Sequence, residues 1–180
     1  HTYGLHFFLP ASGTGNGDPR KYWFRSAAGG AAVVMGWELG ASFNVRAAVE
    51  DMAEFRGLRD YYYGDYYPLT AYGTGDDVWA AFQWDRPEER DGIVLAFRRP
   101  MAPQASIEVK LGGLDAGADY EVDYVDYGVV VVKSGRELAA GLTLKIPEEP
   151  LDHADGVALR GADVFVAGER AAEADPVVDG

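Results

Sequence analysis

Carboxylates are the one class of reactive side chain that this sequence holds in quantity. It has 29 Asp and Glu against 16 Lys and Arg, three His and no Cys. Paired carboxylates perform glycoside hydrolysis, one as nucleophile or base and the other as acid, across a sugar-sized gap. Their abundance here singles out no pair. Other chemistries fail on residue type or spacing. Without Cys there is no disulfide, thiolate metal site or thiol nucleophile. His1, His6 and His153 are not spaced as metal ligands. No Gly-x-Ser-x-Gly elbow supports a Ser-His-Asp triad. Gly13-Thr-Gly-Asn-Gly17 lacks the spacing and the Lys of a phosphate loop and reads as a flexible loop. Asp115, Asp119, Asp123 and Asp126 lack the central Gly and terminal Glu of a calcium loop and read as a solvated acidic face. No metal or other cofactor is implied.

Residues 61–72, Tyr-Tyr-Tyr-Gly-Asp-Tyr-Tyr-Pro-Leu-Thr-Ala-Tyr, hold the densest aromatic cluster. Aromatic rings cover the apolar C–H faces of sugars, so the cluster suits a carbohydrate platform. It equally suits a junction between two structural units, and that reading is favoured because helical patterning gives way to strands here. A net charge of -13 repels phosphate backbones and anionic membrane surfaces. Nucleic acid and membrane are therefore poor partners, and a neutral ligand fits. No apolar run reaches the length of a membrane-spanning helix.

These groups must be positioned by 180 residues, enough for a real core. Leu5–Leu9 reads as a short strand and residues 11–19 as a loop. Tyr22–Ala32 reads as a short helix ended by Gly29 and Gly30, and Ala31–Trp37 as a buried parallel strand. Val45, Ala48, Val49, Met52 and Phe55 recur at three- and four-residue spacing and predict a helix over 44–60. Asn44 or Ser42 would cap it, with Arg46, Glu50, Asp51 and Glu54 on its solvent side. After residue 65 the pattern becomes that of strands about every 10 residues: Val78–Trp84, Ile93–Phe97, Ile107–Leu111, Tyr120–Tyr124, Val129–Val132 and Leu142–Ile146. This predicts an antiparallel sandwich. Residues 151–180 add a strand at Val164–Val166 and a tail that frays.

Several segments together resemble the α-galactosidase (melibiase) enzymes of glycoside hydrolase family 36 and their relatives. They are Tyr-Trp-Phe-Arg-Ser-Ala (22–27), Val-Val-Met-Gly-Trp-Glu-Leu (33–39), Tyr-Gly-Asp-Tyr-Tyr-Pro-Leu-Thr (63–70), Asp-Asp-Val-Trp-Ala-Ala-Phe-Gln-Trp-Asp-Arg-Pro (76–87), Ile-Val-Leu-Ala-Phe-Arg-Arg-Pro (93–100), Leu-Gly-Gly-Leu-Asp-Ala-Gly-Ala-Asp-Tyr-Glu-Val (111–122) and Ser-Gly-Arg-Glu-Leu (134–138). The resemblance implies an α+β chain, mainly β. Its residues 1–65 would be the terminal strands and helix of a (β/α)8 barrel, its residues 66–150 an antiparallel β-sandwich and its residues 151–180 an extension. It implies retaining hydrolysis of α-galactosides or related α-glycosides by two aspartates, neither of which maps onto this chain. The partner it implies is the rest of that catalytic barrel. The loops after the two barrel strands would then border the pocket. Tyr3, His6, Asn16, Arg25, Trp37, Glu38, Tyr61 and Tyr66 are the expected substrate-side residues, with Arg25 anchoring packing or pairing with an acid. An unpaired barrel edge at Ala31–Trp37 would favour a homo-oligomer. The alternative is a non-catalytic carbohydrate-binding or structural sandwich module.

Overall fold

Two strands near the middle of the chain, β4 (Trp79–Arg86) and β5 (Asp91–Arg98), bury side chains on both faces, and the rest of the fold is organised by covering both. Successive strand residues point to opposite faces. Trp79, Ala81, Val94 and Ala96 therefore enter one core, while Ala80, Phe82, Trp84, Ile93, Leu95 and Phe97 enter the other. β4 therefore shows no alternation of buried and exposed positions over Trp79–Asp85. A fully buried Phe, Ile or Leu contributes about 1.5–3 kcal/mol. This computed structural model describes residues 5, 8, 9, 12–17, 20–28, 34–146 and 162–169.

β4 and β5 belong to a six-stranded sheet, wholly antiparallel, with β3 (Asp65–Pro68), β7 (Asp119–Tyr124), β8 (Val129–Ser134) and β10 (Ala162–Glu169). Its order is β3-β4-β5-β10-β7-β8. The last strand among the described residues therefore lies inside the sheet, with Val164 opposite Leu95 and Val166 opposite Asp123.

The first face is covered by the antiparallel pair β6 (Ser106–Val109) and β9 (Leu142–Lys145) and by the short helix α3 (Gly135–Ala140). Val109, Leu111, Leu138, Leu142, Leu144 and Ile146 close this core. The two sheets are therefore packed face to face. α3 starts with a capping box. Ser134 Oγ accepts from the Glu137 amide, and a Glu137 carboxylate oxygen accepts from the Ser134 amide. The bonds that the Glu137 carboxylate accepts from the Ser134 amide and hydroxyl hold it below the usual carboxylate range. The Arg98 guanidinium, fully buried where β5 ends, donates to the carbonyls of Ala102 and Ile146, which ties the large sheet to the small one.

The second face is aromatic and carries helices. α1 (Lys21–Ala28), α2 (Val45–Leu58) and a 3-10 turn at Tyr61–Tyr63 bring Tyr22, Phe55, Leu58, Tyr61 and Tyr62 onto Phe82, Trp84 and Phe97. Asn44 caps α2, its side chain accepting from the Ala47 amide. Before and after α1 lie β1 (Gly15–Asn16) and β2 (Val34–Met35), paired in parallel. Strand, helix and parallel strand make one small βαβ unit. Among the described residues no sheet closes on itself and no helix is long and apolar enough to cross a membrane.

Three sequence expectations are corrected. Leu5, Phe8 and Leu9 form a helical turn, with the Phe8 and Leu9 amides both donating to the Leu5 carbonyl, and all three are exposed. The first strand instead starts inside the expected loop, at Gly15. On α2, Val45 and Val49 are each 62% exposed, whereas Asp51 is buried and Glu54 faces α1. The helix is rotated away from its apparent apolar stripe, and Glu54 on its inner side pairs with Arg25 of α1.

Candidate functional site

The inner side of α2 meets α1 through Arg25, whose side chain is 2% exposed. Its Nε and Nη2 donate to the two Glu54 oxygens at 2.6 and 2.7 Å. Its Nη1 and Nη2 donate to the two Asp126 oxygens at 2.6 and 3.0 Å. One planar guanidinium thus grips two carboxylates, each through two bonds. Lys21, one helical turn earlier, adds a 3.0 Å bond to Asp126. Burial disfavours the Arg25 charge, but the bonds to Glu54 and Asp126 outweigh it and hold its pKa above the ordinary value. Asp51, one turn before Glu54, is 3% exposed, and its Oδ2 has no hydrogen-bond partner. Burial and the Glu54 charge push its carboxyl up to about 6, against the pull of Arg25 and Lys21. Asp126 is therefore no part of a solvated acidic face. Asp115 accepts from the Gly117 amide in a local turn.

The C-terminal ends of β1 and β2 lie side by side, because Asn16 pairs with Met35. Such ends are where parallel strands of α/β layers present ligand-binding residues. Trp37 follows β2 directly. Its ring packs against Phe24 at 6.2 Å and Phe43 at 5.5 Å. Its indole N–H is buried and has no hydrogen-bond acceptor among the described residues. Glu38 beside it is exposed. An aromatic plane, an unused donor and a carboxylate are the groups that bind a hydroxylated ligand. Asn16, Trp37 and Glu38 are thus gathered at one strand end, and Arg25 adjoins it through its neighbour Phe24. Tyr3 and His6 lie outside the described residues.

Tyr61 and Tyr66 sit elsewhere, against the large sheet. The Arg86 guanidinium lies 3.9 Å over the Tyr61 ring, and both Arg86 and the Tyr61 hydroxyl bond to Asp91. Tyr66 stacks on Phe82 at 6.0 Å and leans on Trp84 at 5.4 Å. Tyr62 is buried edge-on against Trp84 at 4.9 Å. A chain of ring contacts runs from Trp37 through Phe24, Phe55, Tyr62 and Trp84 to Tyr66. It joins the βαβ unit to the sheet. The residues that sequence reasoning missed here are Phe24, Phe43, Glu54 and Asp126. The last lies 101 residues from Arg25, and no local spacing signals it.

No family model matches the sequence, and no curated protein matches it significantly. Solved structures do match. The GH36 α-galactosidase AgaA of Geobacillus stearothermophilus, in complex with raffinose, superposes with a TM-score of 0.58 at 20% identity, over 82% of this chain and 19% of that one. AgaB of the same organism gives 0.58 at 18% identity over 82% and 19%. The α-galactosidase of Lactobacillus brevis gives 0.56 at 16% over 84% and 19%. The chain therefore has the fold of a region of these enzymes, mostly sheet with few helices, and spans 19% of their length.

Proposed function

We propose that the chain is the C-terminal part of an α-galactosidase-like retaining glycoside hydrolase, in which the β1–α1–β2 unit and α2 end a (β/α)8 barrel and the two antiparallel sheets form the sandwich beside it. The observation that carries this reading is the likeness to α-galactosidases over 82% of the chain. The aromatic junction between a parallel βαβ unit and an antiparallel sheet supports it. In this reading the nucleophile and the acid/base are carboxylates outside these 180 residues. Trp37, Glu38 and Asn16, with Tyr3 and His6, border the sugar pocket. The Trp37 N–H donates to a sugar hydroxyl, and Glu38 accepts from another. Arg25 fixes α1 against α2 and so sets the position of Phe24 beneath Trp37.

The 180-residue chain alone then hydrolyses no aryl α-galactoside. Turnover abolished by replacing one of its own carboxylates would overturn the proposal. A sugar-binding or purely structural sandwich is the second reading. The commitment of Tyr61, Tyr62 and Tyr66 to the interior favours its structural form. Calorimetric titration with galactose and raffinose separates the two readings. Saturable heat that disappears in Trp37→Ala supports a sugar pocket at the strand ends, and no heat at millimolar sugar supports the structural form.

A further inference from the structure

β4 carries a second buried carboxylate, far in sequence from the Arg25 cluster. Asp85 is 3% exposed. It makes no hydrogen bond or ion pair with any described residue. Its surroundings are unusually specific. Directly across the β3–β4 ladder stands Asp65, and directly across the β4–β5 ladder stands Gly92. Over it lies the turn Gly112–Gly113. Gly113 has φ +77°, and a Cβ there would come within 2.5 Å of Asp85 Oδ2 and 3.1 Å of the Tyr67 hydroxyl. A Cβ on Gly92 would lie 3.4 Å from Asp85 Oδ1. A side chain at Gly113 would thus collide with the Asp85 carboxylate, and one at Gly92 would touch it.

The turn is held from the same face of β4. Gln83, two residues before Asp85 and also buried, donates from Nε2 to the Gly112 carbonyl at 2.8 Å and accepts from the Gly112 amide at 2.9 Å. Its side chain thus pairs with Gly112 as a neighbouring strand would. The Tyr67 ring lies against Gly112, where a Cβ would come within 2.6 Å of it.

The charges that face Asp85 are all negative: Asp65 from β3, Asp91 from β5 and Glu88 from the β4–β5 turn. The Tyr67 hydroxyl is the remaining titratable group beside it. The nearest cation in sequence, Arg86, is engaged by Asp91 and the Tyr61 ring. A nearly buried carboxylate with neither a described donor nor a described counter-ion favours the neutral acid. Lifting the turn that lies against Oδ2 hydrates it more fully.

We propose that Asp85 is a proton-operated latch for the Gly112–Gly113 turn: the neutral acid lets the turn seat on β4, and the carboxylate drives it off. Burial, then Asp65, Asp91 and Glu88, raise the Asp85 carboxyl to about 6 from its ordinary 3.8. The seated turn thus keeps a proton that the lifted turn gives up. Seating is strongest below the ordinary carboxyl range, weakens as pH rises toward 6 and is constant above it. One proton over that interval makes the opening constant rise by about a hundredfold.

Hydrogen exchange at the Gly112 amide reads the latch directly, because that amide is the donor to Gln83. In the full chain, after correction for the intrinsic rate, the opening constant should climb between pH 4 and 6 and level off above. Asp85→Asn should remove the climb. Asp65→Asn, at an exposed position, should move its end to lower pH. A flat profile in the unaltered chain, or a climb that survives Asp85→Asn, would overturn the proposal. Should Asp85→Asn fail to fold, carboxyl-carbon NMR of the unaltered chain decides. Titration of Asp85 near 6 supports the latch, and titration below about 4.5 refutes it.

Discussion

Arg25 and Asp126, 101 residues apart in the chain, meet through two hydrogen bonds of 2.6 and 3.0 Å. The same guanidinium holds Glu54, so three segments (α1, α2 and the β7–β8 turn) are tied at one buried cation. Removing the cation leaves two partly buried carboxylates facing each other. Arg25→Ala should therefore cost about 3–5 kcal/mol. Arg25→Lys cannot grip two carboxylates bidentately and should recover less than half of that. Urea unfolding of the two variants checks this, and a loss below about 1 kcal/mol for Arg25→Ala would show that the cluster is not a clamp.

Asp51 makes stability fall as pH rises. Its folded pKa, about 6, exceeds the ordinary 3.8, so between those values the folded chain holds a proton that the unfolded chain has released. The stabilisation is complete below that interval and gone above it. Asp51→Asn should raise stability at pH 7 by about 1–2 kcal/mol. It should also roughly halve the pH slope, since Asp85 contributes over the same interval. Melting temperatures from pH 4 to 7 test both statements. An unchanged slope would remove Asp51 from the account.

Gln83 satisfies both backbone groups of Gly112 from inside the core. Gln83→Ala leaves the N–H and C=O of half-buried Gly112 without their partner and should destabilise the chain by about 1–3 kcal/mol. Gln83→Glu keeps an acceptor for the amide but loses the donor to the carbonyl, and it adds a fourth carboxylate to Asp65, Asp91 and Glu88 around Asp85. Its loss should grow with pH, whereas that of Gln83→Ala should not. Equal losses at pH 5 and pH 8 would contradict this.

Ser134 ends β8 and starts α3 in a single residue. Ser134→Ala removes the two bonds of the Ser134 hydroxyl, leaving only the Ser134 amide on the Glu137 carboxylate, and should cost about 1 kcal/mol. The loss should shrink at low pH as the Glu137 carboxyl, which that box holds below its usual range, takes up a proton. Guanidinium unfolding at pH 3 and pH 7 reads the difference.

Much of the strand pattern was legible, because β-branched and aromatic runs between Gly, Asp and Pro turns mark strands whatever their partners are. The extent of α2 was legible for a similar local reason, and Asn44 caps it as its side chain allows. The orientation of α2 was not. A charge on a helix reads as solvent-facing until its partner is known, and the partner of Glu54 lies on α1. The Leu5–Leu9 run misled because apolar composition alone does not separate a strand from an exposed helical turn. At the candidate site, Trp37 and Glu38 could be named from sequence. The unused indole donor and the rings of Phe24 and Phe43 beneath it are tertiary facts. Tyr61 and Tyr66 show the reverse case, since both pack against the large sheet although their cluster is rich enough for a sugar platform, while Tyr63 and Tyr72 stay exposed.

The place of β10 has a consequence for how the chain is made. β5 and β7 have no direct ladder between them until Ala162–Glu169 arrives. During synthesis they wait while the 45 residues from Tyr124 to Glu169 are added, about 2–9 s at ordinary elongation rates. For that time two strand edges in the middle of the future sheet stay open to any extended segment, including one from a neighbouring nascent chain. The nascent chain thus stays exposed to mispairing until Ala162–Glu169 is made.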